Sequence, residues 1–363
     1  MTARARAMPL LSLLAFAAAG CGEPVAVLGD IPGAMRIIAG VANASGETVE
    51  PLATDSRLAD PAGVAIREDG ALFVVEELNA RVISVASDGG LAIIRADRFC
   101  TGDCLRSPTD AALDPLGRLI VADRTSHQIW RIDSETGTAE ILAGTGEPGI
   151  TPDGAPAAGS RLDRPTGVAV DVDGVIYFSE LGAHRIRFID ATGALRTLVG
   201  SGVPGFSGDG GPATEAEIDT PGGLGIAAGV LYLADSGNDR IRAIRLDDGT
   251  IETVAGTGLR GFGGDGGPAL EAALNFPQDV AATPDGRRIF IADTRNHRVR
   301  HVPFASGLIE TFAGTGETEF TGNLLDAGAT SVASPSGLAT GPFGFLFISD
   351  PGHDVVWRVV LGF

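Results

Sequence analysis

One segment of this chain recurs six times, and that repetition limits the possible folds more than any local signal does. Each copy begins at a Pro, runs through small apolar residues, and continues with a second apolar run that ends in a carboxylate. Six residues after the carboxylate, an apolar residue opens a third run. The prolines that begin the copies are Pro61, Pro108, Pro165, Pro221, Pro277 and Pro335.

These short runs predict β-strands, because they are rich in β-branched and aromatic residues and are bounded by Gly and Pro. Ala, Gly and Val fill the first run of each copy, as the innermost strand of a β-propeller requires near its axis. The carboxylates that end the second runs are Glu76, Asp123, Glu180, Asp235, Asp293 and Asp350. Their predicted salt-bridge partners, five residues later, are Arg81, Arg185, Arg240 and Arg298.

The two ends of the repeated region complement each other. The sixth copy stops at Phe363 after its third run, whereas Met35 to Gly40 match a fourth run that has no copy before it. We therefore predict an all-β fold, a six-bladed β-propeller of four-stranded blades over residues 34–363. The N-terminal strand completes the last blade and so closes the ring, which removes open sheet edges.

The residues before the first copy have the features of a targeting segment. A start that contains Arg4 and Arg6 precedes a short apolar stretch that ends at Cys21. This order resembles the signal of bacterial lipoproteins, which implies a signal peptide over residues 1–20, a lipid on Cys21 and a tether over residues 21–33. An ordinary secretory signal is the alternative interpretation.

The same resemblance implies a lipid-anchored protein of the bacterial cell envelope. Gly22 stands where Asp would favour retention in the inner membrane, so the outer membrane is expected, with the domain facing the periplasm or the surface. Cys100 and Cys104 then remain as an even pair in an oxidising compartment, which predicts a disulfide. A metal held by this pair is the alternative, although no further Cys or His lies near it in sequence.

The charge of the chain excludes one class of partner. Its formal net charge is -19 and its basic residues are all Arg. An acidic protein of this kind repels phosphate backbones, so a nucleic-acid partner is not expected.

The repeated patterns resemble a known family. P-x-G-V-A-V, L-Y-x-A-D-x-x-N-x-R-I-R and T-V-A-G-T-G are similar to the NHL repeat, and the FSGDGGPA and FGGDGGPA segments after Gly205 and Gly261 resemble loops of its bacterial members. The resemblance implies the same six-bladed propeller, but it does not imply an activity, because one fold carries many functions.

Two residues depart from the repeat and are the preferred candidates for ligand binding. Asp110 and Asp279 replace a Gly at the start of the innermost strand in blades 2 and 5, which lie opposite each other in a ring of six. Polar residues that are not repeated, placed at a central channel mouth, favour a functional role. Substitutions that the repeat merely tolerates remain the alternative.

Two further sets are candidate metal ligands. His127, His184, His297 and His353 follow the second-strand carboxylates closely, and this invites comparison with the zinc-dependent lyase that cleaves peptidyl-hydroxyglycine, a six-bladed propeller. Asp153, Asp209 and Asp265 occupy equivalent loop positions and suggest calcium. The alternatives are ordinary repeat consensus for the His residues and turn-capping for the Asp residues.

These observations favour a binding or interaction module over an enzyme. A rigid ring with varied loops on one face suits a protein, peptide or glycan ligand, and no nucleophile motif is present in the sequence. The alternative is a metal-dependent lyase, or a lactonase resembling gluconolactonase, that uses zinc or calcium at the channel mouth.

Overall fold

The computed structural model describes residues 32–46, 50–96, 104–323, 325–341 and 343–362. The predicted signal peptide, Cys21, most of the predicted tether and Cys100 lie outside the described residues. Within the described ranges, no helix is long and apolar enough to cross a membrane.

Six antiparallel sheets make up the fold, and each forms one blade of a ring. Blade 1 contains β2 (Pro61–Ile66), β3 (Leu72–Glu76), β4 (Arg81–Val85) and β5 (Leu91–Ala96). Blade 2 contains β6 (Pro108–Leu113), β7 (Leu119–Asp123), β8 (Gln128–Ile132) and β9 (Ala139–Ala143). Blade 3 contains β10 (Pro165–Val170), β11 (Ile176–Glu180), β12 (Arg185–Ile189) and β13 (Leu195–Val199).

The remaining blades repeat this order. Blade 4 contains β14 (Pro221–Ala227), β15 (Val230–Asp235), β16 (Arg240–Arg245) and β17 (Ile251–Ala255). Blade 5 contains β18 (Asp279–Ala282), β19 (Arg288–Asp293), β20 (Arg298–Pro303) and β21 (Glu310–Ala313). Blade 6 contains β23 (Leu338–Thr340), β24 (Phe345–Asp350), β25 (Val355–Val360) and the N-terminal β1 (Ala34–Ala39), with the short β22 (Leu325–Asp326) beside β1.

The N-terminal strand closes the ring as predicted. β1 pairs with β25 through Met35 opposite Val359 and Arg36 opposite Arg358. The last blade is thus built from both ends of the repeated region, which leaves no blade incomplete. The six-bladed all-β fold predicted from the sequence is confirmed.

Between the strands, the described helices are all single 3-10 turns. They cover Ala53–Asp55, Ala157–Gly159, Ala213–Glu215, Ser236–Asn238, Ala269–Glu271, Thr294–Asn296 and Ala327–Ala329. Several follow the GDGG loops and bury an Ala, such as Ala213 and Ala269, against the blade.

The hydrophobic core lies between blades rather than inside one of them. Six clusters of buried side chains are found, one at each boundary between neighbouring blades. At the boundary of blades 1 and 2, for example, Phe73 and Val75 pack with Trp130. Because every blade buries both faces against its neighbours, closure of the ring completes the core.

The connections between strands divide the surface into two faces. We call the side with the second-to-third strand turns and the long loops between blades the loop face. The opposite side, with the first-to-second and third-to-fourth strand turns, is the hairpin face.

The predicted partners of the second-strand carboxylates are wrong in three blades. In blade 1, Arg81 pairs with Glu76 as expected. In blades 3, 4 and 5, the partner is the Arg seven residues after the carboxylate, and these arginines have fully buried side chains. The pairs are Glu180 with Arg187, Asp235 with Arg242 and Asp293 with Arg300.

Strand geometry explains the correction in blade 4. Arg240 and Arg242 lie on the same side of β16, because side chains two residues apart share a face. The guanidinium of Arg240 instead donates to the carbonyl of Thr257 and stacks on Phe206. Arg242, one step deeper in the strand, is left to reach back to Asp235.

Candidate functional site

Asp110 and Asp279 lie where the two axial cavities meet. They are the two residues that line both the cavity on the loop-face side and the cavity on the hairpin-face side. The structure therefore brings the two predicted site residues together in one place, one from blade 2 and one from blade 5.

Backbone amides hold both carboxylates in the same way. Asp110 accepts hydrogen bonds from its neighbour Ala111 at 2.8 Å and from Val168 of blade 3 at 2.9 Å. Asp279 accepts from Val280 at 2.7 Å and from Leu338 of blade 6 at 2.7 Å. Each Asp thus ties its own innermost strand to that of the following blade.

Glycines in the preceding blades make room for these side chains. A Cβ atom on Gly223 of blade 4 would lie 1.9 Å from an oxygen of Asp279. A Cβ atom on Gly63 of blade 1 would lie 2.5 Å from the backbone of Asp110 and 2.7 Å from its carboxylate. The order Gly, Asp, Gly therefore occurs twice around the axis and gives the ring an approximate two-fold symmetry.

Burial shifts the titration of both carboxyls. Burial raises the pKa of Asp110 well above its usual range, and the charge of Asp279 raises it further, against the hydrogen bonds from Val168 and Ala111. Burial also raises the pKa of Asp279 to about 7, against the hydrogen bonds from Leu338 and Val280. Because the groups interact, they titrate as a pair, and the pair keeps a proton as the pH approaches neutrality.

Above this pair, on the loop face, lies a cavity of about 540 Å³ that we call the mouth cavity. Its wall is a ring formed by the residue that follows the first-strand proline in every blade. This position differs from blade to blade, and its occupants are Ala62, Thr109, Thr166, Gly222, Gln278 and Ser336.

A second, outer ring forms the rim of the mouth cavity. It contains the residue that follows the second-strand carboxylate in most blades, including Glu77, Arg124 and Leu181. Arg124 forms an ion pair with Glu77, and Ser107 donates to the same carboxylate at 2.6 Å. One apolar, one cationic and one anionic side chain therefore lie on the rim at neighbouring blades.

Our sequence reasoning missed both rings. Each position lies directly beside a strongly repeated residue, a Pro in one ring and a carboxylate in the other, yet varies in type. That contrast is the signal that would have found them, because the scaffold fixes the neighbour and leaves this residue free to differ.

The four candidate histidines lie in four different blades, and each forms structural contacts there. His127, His184 and His297 adopt a positive φ, and each ring meets the backbone of the next blade. Asp239 fills the equivalent place in blade 4 and accepts from the amide of Phe276 at 2.7 Å. The same turn thus works without a histidine.

His353 occupies a different position, that of the Asn found in other blades. Its Nδ1 lies 2.7 Å from Asp350, as Asn238 lies beside Asp235, and its Nε2 lies 2.9 Å from the carbonyl of Thr318. Burial lowers the pKa of His353, but the hydrogen bond and charge of Asp350, the Thr318 carbonyl and the charge of Asp354 together raise it above its usual value. Both ring nitrogens are therefore already engaged.

The three loop aspartates are likewise engaged by their own blades. Asp209 accepts from the guanidinium of the buried Arg242 at 2.7 Å and from the hydroxyl of Thr253 at 2.7 Å. Asp153 and Asp265 make the equivalent contacts with an Arg and a Thr. These bonds fasten each GDGG-type loop to the third and fourth strands.

The metal sites predicted from these two sets are not formed by the described residues. Within those residues, no three His, Cys, Asp or Glu side chains come close enough together to hold a metal ion. Repetition explains this outcome, because each member is placed by its own blade and not by the axis. Cys104 is buried next to β6, and its pairing with Cys100 stays a prediction since Cys100 is not among the described residues.

Comparison with known proteins agrees with this architecture. Residues 106–205 match the family model described as the Teneurin NHL domain, and residues 274–302 match the model of the NHL repeat. The chloroplastic protein SUPPRESSOR OF QUENCHING 1 of Arabidopsis thaliana is 31% identical over 257 residues, which are 67% of this chain and 24% of that relative. The chain thus spans about a quarter of that relative's length.

Solved structures share the fold at low identity. An auxiliary nutrient binding protein from Bacteroides thetaiotaomicron superposes with a TM-score of 0.66 at 13% identity, covering 90% of this chain and 76% of the other. A gluconolactonase from Xanthomonas campestris superposes with a TM-score of 0.56 at 17% identity, covering 93% of this chain and 99% of the other.

The fold and its axial site define a closed six-bladed β-propeller with a cavity at the mouth of the channel. The matched repeats identify which kind of propeller this is. The protein is an NHL-repeat propeller.

Proposed function

We propose that this NHL-repeat propeller is a binding module, attached to the bacterial cell envelope by a lipid on Cys21, that takes a glycan, peptide or protein ligand in the mouth cavity. One observation carries the proposal. Residues that vary between otherwise repeated blades converge on a single cavity, and an axial pair of carboxyls closes its floor. A scaffold that needs only its own stability has no reason to place five different residue types at one position of its six blades.

The chemistry of the cavity suits a ligand with hydroxyl and amide groups. The side chain of Gln278 makes no hydrogen bond within the described part of the chain, so its amide is available to a ligand. The hydroxyls of Thr109 and Thr166 add polar groups, and Phe276 adds an aromatic surface. Pockets with a few polar groups beside apolar surface are typical of ligand sites.

The solved structures with this fold support a binding function in general terms. The auxiliary nutrient binding protein from Bacteroides thetaiotaomicron shares the fold. The likeness is one of fold alone, so the ligand must be sought with this protein's own residues.

A binding screen tests the proposal. We expect the protein to bind a subset of an array of glycans and peptides, and Gln278→Ala to weaken that binding by roughly tenfold through loss of its amide hydrogen bonds. Leu116→Ala is the control, because Leu116 lies in a hairpin-face turn and is 76% exposed. If both variants bind every ligand with equal affinity, the ligand binds outside the mouth cavity.

Attachment to the envelope has a separate test. Labelling of cells with an alkyne-bearing fatty acid should mark the wild-type protein in the membrane fraction and leave Cys21→Ser unmarked. Label that persists in Cys21→Ser, or wild-type protein that is soluble and unlabelled, would remove the anchor from the proposal without affecting the mouth cavity.

A lactonase or lyase activity is the second candidate, and the raised pKa of the axial carboxyls is the observation that favours it. Perturbed carboxyls in a cavity are a common mark of catalytic sites. Turnover of aldonolactones, measured with and without added calcium or zinc, tests this candidate. Activity that disappears in Asp279→Asn while ligand binding persists would favour the enzyme over the binding module.

A further inference from the structure

A groove on the hairpin face has the features of a second binding site, unrelated to the mouth cavity. It has a volume of about 970 Å³ and lies between the outer parts of blades 3 and 4, with Phe304 of blade 5 at one side. Val170 and Ile226 line both this groove and the lower axial cavity, so the groove extends outward from the channel. It opens on the face opposite the mouth cavity.

Aromatic side chains form much of its wall. The chain has two tyrosines, Tyr177 and Tyr232, and both line this groove. Tyr232 stacks on Phe304 with ring centroids 5.7 Å apart. Phe304 and Val172 are 37% and 92% exposed, which leaves apolar surface open to solvent.

The hydroxyl of Tyr232 lacks a partner. Tyr232 is only 5% exposed, yet its hydroxyl forms no hydrogen bond to any residue the structure describes. The matching hydroxyl of Tyr177 donates to Asp171 at 3.1 Å. The Tyr232 hydroxyl is not enclosed by protein atoms but opens on the wall of the groove, so a ligand there can hydrogen-bond to it in place of water.

Carboxylates dominate the charge of the groove. Asp171, Asp173, Asp247 and Glu252 line it, against one cation, Arg245. Arg245 lies 3.8 Å from Glu252, and both side chains are more than half exposed, so this pair contributes little and leaves the groove negative. Apolar surface next to uncompensated carboxylates is complementary to a cation on an aliphatic stem.

We propose that this groove binds a basic peptide segment, in which an Arg or Lys side chain lies along the wall beside Phe304 and its cation meets Asp173, Asp247 and Glu252. A hydrogen-bonding group of the same peptide satisfies the Tyr232 hydroxyl. A peptide fits better than a small amine, because the volume is at the upper end of single-ligand pockets and the groove is open along its length.

Synthetic eight-residue peptides test the proposal. One set carries two Arg residues between Leu and Phe residues, and a matched set carries norleucine in place of each Arg. The full wild-type protein should bind the first set and not the second in fluorescence anisotropy. Absence of binding to both sets, or equal binding, overturns the proposal.

A matched pair of triple variants separates local from overall charge. Asp173→Asn/Asp247→Asn/Glu252→Gln removes three charges from the groove, and we expect the dissociation constant to rise by roughly tenfold or more. Glu215→Gln/Glu271→Gln/Glu317→Gln removes three exposed charges outside the groove and should change it by less than about twofold. Equal effects of the two variants would show non-specific attraction to an acidic protein and refute the site.

Tyr232→Phe gives an independent readout, since it removes only the unpartnered hydroxyl. We expect binding to weaken by about twofold to tenfold with the melting temperature unchanged. Unchanged affinity contradicts the role of this hydroxyl. Competition by free arginine amide at the same concentration as the peptide would identify a small-cation site and overturn the peptide proposal.

Discussion

Two kinds of buried carboxylate in this propeller differ in how they are compensated. In blades 4 and 5, Asp235 and Asp293 have an arginine, Arg242 or Arg300, within 3.4 Å. Among the described residues, the axial Asp110 and Asp279 accept hydrogen bonds from backbone amides and from no side chain. Burial raises the pKa of Asp235 and of Asp293 to about 6, but raises that of Asp279 to about 7.

The difference indicates that the repeated carboxylates have a structural role. A repeated carboxylate with its own arginine holds one blade to its loop, and the same solution serves several blades. The axial carboxyls have no such cation and lie in a cavity, so they can respond to pH or to a ligand. The repeated ion pairs thus have a structural role, whereas the axis and its mouth hold residues that differ from blade to blade.

Removal of a buried arginine from a repeated ion pair should destabilise the fold. Arg242→Met leaves Asp235 buried without a cation and frees Asp209 of the loop, so we expect the free energy of unfolding to fall by about 3 to 5 kcal/mol. Urea denaturation measures this loss. Arg245→Met, three residues along the same strand and largely exposed, is the control and should have little effect.

Equal free energies of unfolding for Arg242→Met and Arg245→Met would contradict this expectation. That result would mean that Asp235 does not depend on Arg242 and that the repeated and axial carboxylates are held alike.

Asp279 should make stability depend on pH. Its pKa is about 7 in the folded protein against an ordinary value of 3.8. Below about pH 4 both states are protonated. As the pH rises toward 7, the unfolded chain releases this proton while the folded protein keeps it, so stability falls, by on the order of 4 kcal/mol at most.

Asp279→Asn should therefore flatten the decrease in unfolding free energy between pH 4 and pH 7, measured by urea titration at several pH values. Asp247→Asn removes an exposed carboxylate and controls for the change in net charge. Parallel curves for the wild type and Asp279→Asn would contradict the assignment of this titration to the axial pair.

Gly223 tests why glycines stand next to the axial aspartates. The three atoms nearest to a Cβ atom there all belong to the side chain of Asp279, so Gly223→Ala should cost about 1 to 3 kcal/mol by overpacking. Combination with Asp279→Gly should recover part of that loss, seen as a favourable coupling energy in a double-mutant cycle.

Gly63 is the matched control for this cycle. Its Cβ atom would also meet the backbone of Asp110, so Asp110→Gly should not rescue Gly63→Ala. Absence of rescue in both pairs would mean that side-chain crowding by the two aspartates is not what requires glycine in the neighbouring blades. Rescue in both pairs would mean that the backbone contact at Gly63 does not matter.

The fold was predictable from the sequence because each blade repeats the same local solution. Strand order, six blades and closure by Met35 to Gly40 follow from the count of runs and from the need to bury sheet edges. Asp110 and Asp279 could be found in the same way, as departures from a repeated Gly. These inferences depend on spacing along the chain, which repetition makes visible.

Other features were not predictable from spacing. The choice of Arg242 over Arg240 as the partner of Asp235 depends on where each guanidinium ends in the folded blade: that of Arg240 reaches the carbonyl of Thr257, whereas the fully buried Arg242 reaches Asp235 and Asp209. The groove on the hairpin face combines residues from three blades. No pattern within one repeat predicts which residues of different blades come together.

The sequence by itself determined the blade, the number of blades and the positions where the repeat is broken. Only the tertiary structure decided that variable residues converge on the channel mouth and that the candidate histidines do not meet. The physical reason is that local hydrogen bonding and hydrophobic alternation specify a blade, whereas proximity across the ring arises only when the last blade closes on the first.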